Sequence, residues 1–74
     1  MYFIYAIAPK RRHLFYNDTI GDFVEEEEKA SVFSSRFLVD LAYFKMCKKY
    51  AKYNYRILIP NATENFPKTK EVII

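Results

Sequence analysis

His13 and Cys47 are the one histidine and the one cysteine of this 74-residue chain. They are the single combination from which the common thiol–imidazole nucleophile and base could be built. His13 is expected near a hairpin tip and Cys47 on a helix flank, so the spacing does not favour the pairing. A single glycine, Gly21, rules out a glycine-rich phosphate loop. Glu25 to Glu28 lack the alternating oxygen ligands and the glycine of a calcium loop, so no metal is expected. A domain this small rarely has spare structure to shape and dry a pocket. The reading is of a non-enzymatic chain with no catalytic residues and no cofactor.

Three other residue sets could bind a macromolecule. Phe37, Leu41 and Phe44 recur at i, i+4 and i+7, with Lys45 and Lys48 beside them. On a helix this is an apolar line with a charged rim, the pattern of a face that docks another protein or a second copy of the same chain. Phe66, Val72, Ile73 and Ile74 are the residues that could instead cover the line and make a second small core, although the ending Lys68–Ile74 could equally add an edge strand. Lys45, Lys48, Lys49 and Lys52, with Arg56 beyond, form a basic face that could track a phosphate backbone. Lys10, Arg11, Arg12, Lys68 and Lys70 add to the basic total. Against this, a lysine face is also what a solvated helix shows, and the net charge is only +3. Asp22 with Glu25, Glu26, Glu27 and Glu28 forms an acidic patch that could meet arginines on a partner. From Lys45 onward there are seven basic and two acidic residues (+5), against five basic and seven acidic before it (−2).

These residues need elements to hold them. Ser34 to Asn54 reads as the one long helix: at about 100° per residue, Val39, Ala42, Tyr43, Met46, Tyr50 and Tyr53 share one stripe. Ser34 is the expected N-cap, Phe33 and Leu38 the staple, and Asn54 the left-handed residue after the helix. Tyr2–Ala8 reads as a strand ended by Pro9, Lys10 to Arg12 as a turn, and His13–Tyr16 as the returning strand. Asp22–Val24 and Ser31–Phe33 are short extended pieces. Tyr55–Ile59, closed by Pro60, is the clearest strand, expected centrally or beside the first. If it lies parallel to Ser31–Phe33, the helix between them is a right-handed crossover. The fold class is α+β: a small, mostly antiparallel sheet of three to five strands with one long helix on one face.

Composition bounds the rest. Half hydrophobic, with seven Tyr and seven Phe, residues 1–74 make one domain with a small core. The apolar run MYFIYAIA precedes the charges KRR, the reverse of a signal peptide, and no apolar run reaches membrane-spanning length. A lone cysteine cannot form an internal disulfide, and a reducing cytosol is the expected compartment.

Phe23 to Ile59 also carries a recognisable order of features. The lead-in DFVEEEE, the stretch KASVFSS with Ala30 and Phe33, the amphipathic helix and the closing YRILI together resemble small accessory proteins of bacteriophages and prophages. Those have an opening hairpin, an acidic run, a Ser/Thr cap, one helix and a closing strand. This chain departs from them in having Ile20-Gly21-Asp22-Phe23 where a tryptophan or a glycine-rich second strand is usual. The resemblance implies a small ββ(β)αβ protein of a mobile element, a group that includes anti-CRISPR-like inhibitors of host defence. It transfers no functional residues.

Overall fold

The computed structural model describes residues 1–69 and 71–73. Strand β1 (Tyr5–Ala8) turns back into β2 (Arg12–Asn17) with Ala8 opposite Arg12 and Tyr5 opposite Phe15. The register leaves Pro9, Lys10 and Arg11 as the connection. Pro9 supplies a fixed φ, and Lys10 (φ 66°) and Arg11 (φ 58°) take left-handed conformations, which costs non-glycine residues about 1 kcal/mol or more each. Strand β3 (Asp22–Val24) pairs with β2, and β5 (Arg56–Leu58) pairs with the free side of β1, so the antiparallel order is β3-β2-β1-β5.

Because side chains alternate along a strand, the register sorts the residues onto two faces. Ile4, Ala6, Leu14, Tyr16, Phe23 and Ile57 face the helix, and Phe3, Tyr5, Phe15 and Leu58 face away. Helix α1 (Arg36–Lys49) lies on the first face and buries Val39, Ala42 and Met46 against Ile4, Tyr16 and Phe33. On the second face the loop after β5 brings Phe66 edge-on to Phe3, Tyr5 and Phe15. The chain is thus an α+β globule with apolar packing on both sides of its sheet.

A second sheet holds the ends together. Strand β4 (Val32–Phe33) pairs in parallel with β6 (Val72–Ile73), while Tyr2 exchanges backbone hydrogen bonds with Phe33 at 2.8 and 2.6 Å. The parallel partner of Val32–Phe33 is therefore Val72–Ile73, and the condition for a crossover to Tyr55–Ile59 is not met. β5 has been taken by β1. The segment is latched by Glu71, whose carboxylate accepts from Ser31 Oγ (2.9 Å), Thr19 Oγ1 (3.1 Å) and Asn17 Nδ2 (3.3 Å). Ser31 and Asn17 are buried, so their polar atoms must find partners inside the protein.

The helix is shorter than its periodicity suggests. It ends at Lys49, and Tyr50 leaves helical geometry as its hydroxyl bonds Asp22 and its ring stacks on Tyr55 (4.8 Å, 13°). The aromatic cluster of Tyr50, Tyr53 and Tyr55 closes the turn, and Asn54 has no left-handed φ. At the other end Ser35, one residue later than expected, is the N-cap and accepts from the Leu38 amide at 3.2 Å. Ser34 instead bonds the Ile73 carbonyl. Phe33 and Leu38 meet as part of the main core rather than as a staple about Ser34.

Ser35→Ala should lower unfolding stability by about 1 kcal/mol, the worth of a lost N-cap, with Ser34→Ala costing less than half of that in denaturant titrations. Glu71→Ala should cost about 1–3 kcal/mol by leaving the buried Ser31 hydroxyl without its acceptor. It should also speed hydrogen exchange at the Val32 and Ser34 amides, which bond Glu71 and Ile73 across the small sheet.

Candidate protein-docking face

A helix lying on a sheet needs one apolar side, and α1 has two. At about 100° per residue, Phe37, Leu41, Phe44 and Lys48 fall within about 60° of one another, opposite Val39, Ala42 and Met46. Phe37 is 70% exposed, Leu41 54% and Phe44 62%. Of the two alternatives for the C-terminal residues, covering the line or adding a strand, the second is seen: Phe66 packs on the far face of the sheet, and Val72 and Ile73 pair with β4. Ile74, the fourth residue of that cover, lies outside the described residues. The apolar line points to water along the whole helix.

Its two flanks differ. On the β5 side, Arg36 and Asp40 form an i,i+4 ion pair at 3.0 Å, and Arg36 sits 5.3 Å over the Tyr2 ring. Tyr43 and Phe44 follow, edge to face at 5.7 Å, above a shallow groove floored by the side chains of Ile57 and Ile59 with Leu58 between them, its side chain on the far face of the sheet. On the β3 side stand Leu38 and Lys45, with Lys45 reaching across Gly21. Sequence periodicity found the central line but not Arg36, Asp40 or Leu58. The four-residue spacing of Arg36 and Asp40 was the available signal for the first two.

The basic face does not assemble as expected. Lys49 Nζ bonds Asp22 at 2.8 Å, which uses one cation to tie the helix end to β3. Arg56 lies opposite Ile7 on the face of the sheet away from the helix. Lys45, Lys48 and Lys52 remain exposed on the helix side. Lys70 lies outside the described residues.

The acidic patch is also divided. Asp22 is held by Lys49, the Tyr50 hydroxyl and the Phe23 amide. Glu25 pairs with Arg12 at 2.7 Å, and Glu27 accepts the Lys68 amide at 2.9 Å. Glu27 to Lys29 form a single tight helical turn, leaving Glu26 and Glu28 exposed. His13 and Cys47 are far apart in role and place. The imidazole stacks on Tyr5 and is hydrogen-bonded to its hydroxyl on the outer face of the sheet, whereas Cys47 lies beside Tyr43 on the helix flank. The neighbouring Cys47 thiol, with burial, raises the Tyr43 phenol above its ordinary value. Among the described residues no group of three or more His, Cys, Asp and Glu side chains is placed to hold a metal, and no helix is long and apolar enough to cross a membrane. Compared with family models, curated proteins and solved structures, the chain matches none of them.

The Asp22 junction sets a pH dependence. Burial acts to raise the Asp22 carboxyl, but the bonds from Lys49, Tyr50 and Phe23 outweigh it and hold the group below its ordinary 3.8. Stability tied to Asp22 is therefore fully present above the unfolded value and is lost as pH falls through the lower folded one. Burial and Asp18 push the Tyr16 phenol up to about 12, and burial and Asp22 raise Tyr50 as well. Their contribution is present below pH 10 and is lost as pH climbs toward their folded values. With its side chain 31% exposed, Asp22→Asn should cost about 1 kcal/mol at pH 7. In denaturant titrations that difference from the unsubstituted protein should shrink below about pH 4.

Proposed function

We propose that this chain is a non-enzymatic, cytosolic protein-binding module that docks another protein on the Phe37–Leu41–Phe44 line, and that it serves as a phage-encoded inhibitor of a CRISPR-type host defence complex. The docking reading is carried by one observation: two phenylalanines and a leucine, each more than half exposed, stand in a row on an ordered helix. Isolated exposed apolar residues are ordinary, whereas a contiguous aromatic row with a charged rim is the make-up of an interface centre. Large rigid aromatics can supply most of the binding energy there, while Lys45 and Lys48 steer a negatively charged partner. The phage origin and the anti-defence role are supported by the order of features from Phe23 to Ile59 alone.

Nucleic-acid binding through the lysines is the alternative. It has Lys45, Lys48 and Lys52 on the helix side but not Arg56, and Lys49 is engaged by Asp22. The two readings separate by mutation. Leu41→Glu and Phe44→Glu, at exposed sites, should leave the thermal unfolding transition within about 0.5 kcal/mol of the parent. In bacteria with active CRISPR-type immunity, expression of the parent protein should restore plating of a targeted phage. Either glutamate variant should lose that restoration, reflecting a loss of affinity on the order of thirtyfold for a hot-spot anchor. Lys48→Glu with Lys52→Glu should retain it. No restoration by the parent protein removes the inhibitor reading. A shift of a short duplex on a sizing column that disappears with the lysine variant and with rising salt replaces docking by nucleic-acid binding.

A further inference from the structure

Strand β5 is the edge of the four-stranded sheet, and its outer side is open. The direction of its backbone groups follows from the register. Phe3 donates to the Pro60 carbonyl, and Tyr5 and Ile7 stand opposite Leu58 and Arg56, so residues 56, 58 and 60 point their polar groups at β1. In an antiparallel ladder the alternate residues point the other way. Tyr55, Ile57 and Ile59 thus aim amides and carbonyls outward, and among the described residues no strand pairs with them. Above this edge lies the groove between β5 and the flank of α1, with Arg36, Asp40, Tyr43 and Phe44 on its upper wall and a volume near 370 Å³. That is small for a ligand pocket but enough to receive side chains from a strand laid along the edge.

We propose that this edge pairs with the same edge of a second copy of the chain. The two β5 strands would run antiparallel about a twofold axis perpendicular to the sheet, joining two four-stranded sheets into one. Both helices then lie on the same side. A twofold contact must be complementary to itself, which requires both signs of charge on one patch. The groove wall provides them in Arg36 and Asp40, on the stretch of helix that faces its counterpart. Leu58 and Phe44, both exposed in the single chain, supply apolar contact. A strip about 17 Å long for the five residues Tyr55–Ile59, spanning the helix and sheet layers, contributes on the order of 500 Å² per copy, which brings the pair to the lower bound of a specific interface. The dimer is accordingly a concentration-dependent one. It shares Phe44 with the docking line but leaves Phe37 and Leu41 outside the contact, so substitutions at Ile57, Asp40 and Phe37 test it separately from the docking reading above.

Light scattering on a sizing column across a dilution series should give a mass rising from 8.9 kDa toward twice that value. A constant 8.9 kDa overturns the proposal. Chemical ligation at Cys47 allows the same chain to be made with an N-methyl amide at Ile57, which removes one outward donor and leaves the side chain in place. This variant should keep its thermal unfolding transition and dimerise at least tenfold more weakly. Independently, Asp40→Arg leaves the wall with one sign of charge and should weaken the dimer at least tenfold, and adding Arg36→Asp should restore it. Phe37→Ser should leave the dimer unchanged. A dimer that survives Asp40→Arg, or one lost with Phe37→Ser, overturns the β5 edge as the contact.

Discussion

The carboxylate of Glu71 accepts from Ser31 and Thr19 while Asn17 reaches its other oxygen, and Ser31 and Asn17 are shut away from water. Without that carboxylate the buried Ser31 hydroxyl would lack its acceptor, while Asn17 would keep only the Lys29 carbonyl, so the network selects one position for Glu71 and the two residues after it. Val72 and Ile73 are thereby laid beside Val32 and Phe33. The same placement keeps them off the outer side of α1. The exposure of Phe37, Leu41 and Phe44 is thus a consequence of where a polar latch holds the apolar tail, as well as of the helix's own sequence.

Local pattern made much of this legible. The hairpin of β1 and β2 follows from alternating aromatic and aliphatic residues on either side of Pro9, and the buried stripe of Val39, Ala42 and Met46 follows from helical spacing. The misreadings share one physical origin, which is that long-range partners outweighed short-range preference. Asn54 is a good residue for ending a helix, yet Tyr50 ends it earlier because Asp22 and Tyr55 capture its side chain. Ser34 is a good cap, yet Ile73 takes its hydroxyl and Ser35 caps instead. Arg56 reads as part of a basic run with the helix lysines. Strand alternation turns it to the opposite side of the sheet, a change that a one-residue difference in register is enough to make. Of the candidate site, the apolar row was visible in the spacing, while the groove beside it needed the pairing of β5 to be known.

Much of the charge in this protein serves assembly of the fold. Lys49 fastens the helix end to β3, and Arg12 meets Glu25 beside the hairpin. Each pair is partly exposed and worth little alone. Together they divide an acidic run and a basic face that would otherwise be read as two opposed surfaces. What remains outward on the helix is an apolar row of Phe37, Leu41 and Phe44 between Arg36 and Asp40 on one flank and Lys45 on the other.

Residues 2 and 72–73 meet on the same short strand, Val32–Phe33, from opposite directions along the chain. Each contact closes a loop of some tens of residues before any of its hydrogen bonds can form, and the logarithmic cost of closure changes little between the two. The search for those meetings, rather than helix growth, should set the pace at which this chain reaches its final form, placing it among slower mixed α/β folders rather than helical bundles.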